Sequence, residues 1–244
     1  MSTPSALGRS AHAPSPFIEP GGLGRPLFLL NLKTYPGYVG PAAERTGRLL
    51  EELGKAMGVA VAIAPATPDL GRVASAVAIP VLAQHVDSLD SGAHTGFVPP
   101  DAARAAGGWG SLVNHSEHPL SASSVKETVR RLRALGMIAV VCARDVATAR
   151  TLGRTLPPYL AVEPPELIGG DQAVSTARPE VVSGSVEAVH SVSPATLVLC
   201  GAGVHDRRDV AKAIELVSSG VLVASAVTRA ADPRAAIEEL LSGF

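Results

Sequence analysis

Ala161-Val162-Glu163-Pro164-Pro165-Glu166-Leu167-Ile168-Gly169-Gly170 decides how this chain is read. The residues leading into it, Pro158-Tyr159-Leu160-Ala161-Val162, have the aliphatic and aromatic make-up of a buried strand. Two prolines after Glu163 fix φ and withhold ladder donors, so the strand has to end at the carboxylate. Glu163 then sits at a strand terminus facing open space. Beyond it the chain stays apolar through Leu167-Ile168 and breaks at Gly169-Gly170, a segment stiff at one end and loose at the other. It reads as a lid over the carboxylate. Taken alone, the same residues also fit a strand end followed by an ordinary loop, and the rest of the chain has to separate the two.

Outward from this stretch the chain repeats one pattern. Strand-like runs occur at Leu27 to Leu32, Val59 to Ile63, Ile79 to Ala83, Trp109 to Val113, Met137 to Val141, Tyr159 to Val162, Leu197 to Leu199 and Val221 to Val223. They are continuously apolar, as strands covered on both faces are. Amphipathic runs separate them. Ser124 with Glu127 suggests a capping box, Val125, Val129, Leu132 and Leu135 recur at helical spacing, and Gly136 marks the stop. The last run opens with Asp232 as cap and Pro233 at the first helical position, and places Ile237, Leu240 and Leu241 on one face. Eight strand–helix units in 244 residues predict an α/β fold of the (β/α)8 barrel type, one domain over residues 26–244. An open doubly wound sheet is the alternative, but no G-x-G-x-x-G follows Leu32. Residues 1–25, rich in Pro, Ser, Gly and Ala without periodicity, predict a disordered or loosely docked extension.

Composition narrows the partners. A 46% hydrophobic and 18% charged chain suits a buried parallel sheet, and 21 basic against 22 acidic residues leave no field to recruit nucleic acid or an anionic membrane. A small molecule is the expected partner. No 18-residue apolar window and no secretory leader are readable, so a cytoplasmic location is expected. Cys142 and Cys200, each at a predicted strand end, form neither a disulfide framework nor a zinc pattern and are expected as buried free thiols.

In such a barrel the chemistry lies just after the strands. Asn31 and Lys33 follow the first strand, Asn114-His115-Ser116-Glu117-His118 the fourth, Glu163 the sixth, Gly201-Ala202-Gly203 the seventh and Ala224-Ser225-Ala226 the eighth. The last two turns have small side chains that let backbone N–H groups reach a phosphate. His115 and His118 with Glu117 could ligate a metal in principle, but their spacing is not a recognised ligand pattern. A neutral imidazole near a helix N-terminus, opposed by a carboxylate, suits proton transfer next to a carbonyl: one polarises the oxygen while the other takes the α proton.

The chain resembles the triosephosphate isomerase family, in its short archaeal-type branch. N-L-K-T-Y, A-Q-H-V, G-A-H-T-G, N-H-S-E-H, A-V-E-P-P-E-L-I-G, L-C-G-A-G and G-V-L-V-A-S carry the resemblance in order over residues 27–244. It implies a cofactor-free, metal-free isomerase with Glu163 as base, His115 as electrophile and Lys33 offsetting substrate charge. Asn31 would orient the substrate, Glu117 would support the histidine, and backbone at Gly169, Gly203, Ala224 and Ser225 would grip phosphate. It further implies a homodimer or homotetramer, with Gly92-Ala93-His94-Thr95-Gly96 docking beside a neighbour's site. Three positions depart from the family pattern: Asp171 in the lid, Pro119, and Ala226 in place of glycine. They bear on lid kinetics and substrate choice and not on the chemistry, since Glu163, His115 and Lys33 are present. The alternatives are a tetrulose-phosphate isomerase with the same mechanism and a catalytically silent sugar-phosphate-binding barrel, against which those three residues argue.

Overall fold

A computed structural model of the chain describes residues 22–167 and 173–244. Eight parallel strands follow in chain order: β1 Leu27–Asn31, β2 Ala60–Ala64, β3 Leu82–Ala83, β4 Gly110–Val113, β5 Ile138–Ala143, β6 Tyr159–Val162, β7 Leu197–Cys200 and β8 Gly220–Val223. Between and after them lie α1 Pro41–Met57, α2 Leu70–Ala76, α3 Pro100–Ala105, α4 Ala122–Ala134, α5 Val146–Gly153, α6 Val174–Ala177, α7 Pro179–His190, α8 Arg207–Glu215, α9 Ser225–Thr228 and α10 Pro233–Leu241. Strand order β2-β1-β8-β7-β6-β5-β4-β3 returns on itself through a parallel bridge, Ile63 with Val81, which closes the ring as a (β/α)8 barrel.

Side-chain alternation confirms the closure. Leu27, Leu29, Ala62, Leu112, Val140 and Leu222 fill the barrel interior, while their neighbours Phe28, Leu30, Ile63, Val113, Val141 and Val223 pack under the helices. Both sets are buried, which is why the strands read as unbroken apolar runs. Each fully buried Leu or Val contributes about 1.5–3 kcal/mol over its exposed state, and α4 adds Val125, Val129 and Leu132 to that layer.

Several local expectations change. The third strand is two residues long rather than five, because Pro80 offers no N–H and Val81 reaches β2 only through the single bridge. The fifth extends to Ala143 and the seventh to Cys200. α4 begins at Ala122, not after Ser124: the Ser121 side chain accepts from the Ser124 N–H at 3.1 Å and is the true cap. Glu127, freed from capping, pairs with Arg130 and Arg131. Gly136 does sit in the left-handed region beyond that helix, φ 68°, and Asp232 caps α10 through the Ala235 N–H at 3.1 Å. Of the N-terminal extension, residues 1–21 lie outside the described residues. Leu23, however, is fully buried in the barrel interior. Its N–H donates to Tyr159 Oη at 2.9 Å, and that hydroxyl donates to the Gly24 carbonyl at 3.2 Å, so packing begins ahead of Pro26.

Candidate active site

The strand ends converge on one cleft lined by Asn31, Lys33, His115, Glu117, Glu163, Gly203, Ala224 and Ser225. All are residues the sequence singles out. Gly169, the lid's glycine hinge and Asp171 lie outside the described residues.

Asn31 closes β1, almost wholly buried, and its Oδ1 accepts from the Lys33 N–H at 3.0 Å. Simple strand alternation would put both side chains on one side, but Lys33 already stands beyond the strand at φ 49°. A left-handed turn aims it, and that conformation is costly for a residue with a Cβ. Gln84, just after β3, helps hold it: its side-chain amide donates to the Lys33 carbonyl at 2.9 Å and to the Ala64 carbonyl at 3.0 Å. Lys33 Nζ then meets Glu117 Oε1 at 2.8 Å.

His115 is 6% exposed. Its Nδ1 accepts the Glu117 backbone N–H at 3.2 Å, a better hydrogen bond than the 3.7 Å approach to the Glu117 carboxylate. That contact occupies the Nδ1 lone pair and leaves Nε2 as the nitrogen that faces Glu163. The donor is the amide of the tight turn His115 to His118, not a helix N-terminus, since α4 starts only at Ala122. Asn114 fixes that turn. At φ 63°, a conformation asparagine tolerates, it donates to the Cys142 carbonyl at 2.9 Å and accepts from the Leu120 N–H at 2.8 Å. His118 turns away and stacks on His85, ring centroids 3.8 Å apart.

Glu163 follows β6 and is 4% exposed, its Oε1 3.6 Å from His115 Nε2. Oε2 is buried without a hydrogen-bond partner among the described residues. Burial pushes this carboxyl above the usual carboxylate range, while His115, the Cys142 thiol and Lys33 pull the other way. Cys142 and Cys200 are both buried free thiols. Burial, and then the Glu163 charge, raise Cys142 well above an ordinary thiol. At the far end of the cleft Gly203 adopts φ 67°, where glycine is favoured, and Ser225 begins α9. The amides of both donate to no acceptor among the described residues. The cleft also holds Tyr35 and Gly201, which stand in the strand-end motifs without an assigned role, and Arg229, which the sequence reading did not use. Gln84 was within reach of it: it follows a strand, the position that marked every other site residue.

The arrangement brings together a buried carboxylate, an imidazole beside it, a paired lysine and, among the described residues, backbone amides at Gly203 and Ser225 without an acceptor. Comparison with known proteins agrees. The sequence model of the triosephosphate isomerase family matches residues 26–240. A triosephosphate isomerase of Methanothermus fervidus is 44% identical over 218 residues, 89% of this chain and 98% of the relative. Those of Methanosarcina mazei, 41% over 219 residues, and Methanothermobacter thermautotrophicus, 43% over 217, cover 90% and 89% of this chain and 99% and 95% of their own. Matched by that family's model over residues 26–240 and by relatives over some nine-tenths of its length, this chain belongs to the triosephosphate isomerase family.

Proposed function

We propose that this protein interconverts dihydroxyacetone phosphate and D-glyceraldehyde 3-phosphate, without cofactor or metal, by moving one proton through an enediolate. The observation that carries the reading is the 3.6 Å opposition of Glu163 Oε1 and His115 Nε2, both buried in one cleft. Glu163 takes the proton from the carbon next to the carbonyl and returns it to the neighbouring carbon. The Nε2–H of His115 donates to the oxygen on which charge develops, a stabilisation that a desolvated site strengthens. Burial of Glu163 makes it a stronger base than a solvated carboxylate. Lys33 offsets substrate charge, Asn31 sets its backbone, and Glu117 supports both Lys33 and His115. Backbone N–H groups at Gly169, Gly203, Ala224 and Ser225 receive the phosphate.

A homodimer or homotetramer is part of this reading. Residues 91–97 are exposed, Phe97 at 55% among them. A second recess beside the active site, lined by Thr34, Thr67, Gln84, His85 and His118, suits the corresponding loop of another copy. A cytoplasmic location is part of the same reading, supported by a charged substrate that does not cross a membrane unaided. A tetrulose phosphate would need the same groups and one more carbon of space. Packing against one carbon discriminates by about 10- to 200-fold, so the triose is preferred rather than exclusive.

A coupled assay run in both directions tests the reading. Turnover of both triose phosphates is expected, with kcat/KM at least about tenfold above that for a competing tetrulose phosphate. Equal efficiency on the tetrulose would replace the substrate. Tight phosphate-ester binding without turnover would make the barrel a sensor.

A further inference from the structure

Two cations line the cleft, Lys33 and Arg229, against two carboxylates, Glu117 and Glu163. Lys33 is already paired with Glu117 at 2.8 Å. Arg229 faces no carboxylate among the described residues; its guanidinium carbon lies 5.9 Å from the centroid of the Tyr35 ring, over its face. Such a ring holds the guanidinium by cation–π attraction and leaves its N–H fork free for an anion. Ring and cation are held in register, because Tyr38, three residues beyond Tyr35, donates its buried hydroxyl to the Val227 carbonyl at 2.9 Å. The Arg229 N–H closes the same short helix on the Ser225 carbonyl at 3.0 Å. Ser225 and Arg229 thus stand at the two ends of one turn, about 6 Å apart along its axis. An anion at the Ser225 amide is within reach of a side chain as long as arginine's.

We propose that Arg229 is a substrate-binding residue, the cation that draws in and holds the phosphate group at the mouth of the cleft. This rests on the sugar-phosphate reading above. Charge balance favours such a group: Lys33 is paired with Glu117, and Arg229 brings the formal charge of the cleft lining to zero. Without it, a phosphate dianion would enter a cleft whose lining is net negative. The sequence conceals the role, since Arg229 belongs to none of the strand-end turns.

Arg229→Gln is expected to raise KM for both triose phosphates about tenfold, the low end of what a focused charge gives, with kcat within about threefold of the parent. Inhibition by inorganic phosphate should weaken by a similar factor, and the salt dependence of kcat/KM should flatten. Arg229→Lys should recover most of the charge effect, while Arg208→Gln, which removes an equal charge paired with Asp206 elsewhere, should leave KM unchanged. The proposal is overturned if KM and phosphate inhibition of Arg229→Gln stay within twofold of the parent, or if kcat falls with KM unchanged. Failure of the isomerase reading would show differently, as a parent protein that turns over neither triose phosphate. Calorimetric titration of parent and Arg229→Gln with inorganic phosphate then still decides the role of Arg229.

Discussion

Gly201 exists for the sake of Glu163. A Cβ at position 201 would lie 2.5 Å from Glu163 Cγ, closer than any two such carbons approach, so the base occupies the space a side chain there would need. Gly201→Ala must therefore displace the carboxylate or the strand end beneath it. We expect kcat/KM to fall at least about 100-fold, in line with the loss of a positioned base, and stability to fall by about 1–3 kcal/mol from overpacking. Steady-state kinetics with a denaturant melt measure both. Activity within threefold of the parent would mean that Glu163 works from another position.

Glu163→Gln removes the base and keeps its shape. Turnover should drop by about 10²- to 10⁴-fold while inorganic phosphate still binds. The pH behaviour has two opposite limbs. Because burial raises the folded-state value above that of the unfolded chain, the native protein holds this proton more tightly. The stabilisation is complete at low pH and is lost as pH rises through the raised value. Activity needs the ionised form, so it climbs over the same interval. Thermal melts across pH should show Glu163→Gln more stable than the parent at neutral pH, with the advantage shrinking on acidification. A gap that widens in acid would contradict the burial of the charge.

Glu117 has two separable contacts. Its side chain holds Lys33 at 2.8 Å, and its backbone holds His115 Nδ1 at 3.2 Å. In Glu117→Gln only the first is weakened, since the amide oxygen can still accept from Lys33 but the opposing charge is gone. Stability should change by under about 1 kcal/mol, since the carboxylate is 59% exposed. Activity should fall about tenfold as Lys33 loses the charge that holds it in place, an electrostatic effect of ordinary size for a site cation. Nitrogen NMR should find the Nε2–H tautomer of His115 in both proteins at pH 7. An Nδ1–H form or an imidazolium in the parent would remove the proposed electrophile.

Gln84→Leu deletes two hydrogen bonds to strand-end carbonyls, those of Lys33 and Ala64. At about 1 kcal/mol each, a loss near 2 kcal/mol is expected in chemical denaturation. KM should rise as well, because the left-handed backbone of Lys33 has lost its brace. An unchanged KM would show that Asn31 alone is enough to hold it.

What the sequence displays and what it hides divide along one physical line. Strands buried on both faces are written as apolar runs, and Glu163 is visible because two prolines end its strand. Chemistry carried by a local residue at a strand end is legible for the same reason. Partnerships made by the backbone or across the barrel are not. The donor to His115 is an amide, which has no side-chain signature. The need for glycine at position 201 arises from Glu163, a distant neighbour in the chain. Ser121, Ser123 and Ser124 all have the chemistry of a cap, and only helix packing chooses Ser121. Leu23, alone among prolines and glycines, becomes a core residue only when Tyr159 closes over it.

The joint between β2 and β3 is a thin one: a single bridge, one N–H donated from Ile63 to the Pro80 carbonyl at 3.0 Å, and the Gln84 amide laid across it. A closed ring opens first at such a joint, and local opening there leaves the other ladders shut. Lys33 is tethered to that same joint. On gentle warming, hydrogen exchange should therefore quicken in the amides of Ile63 and its neighbours while the circular dichroism is still native, and turnover should fade with that exchange. Heat inactivation of this protein would then be the parting of one seam, several degrees ahead of melting.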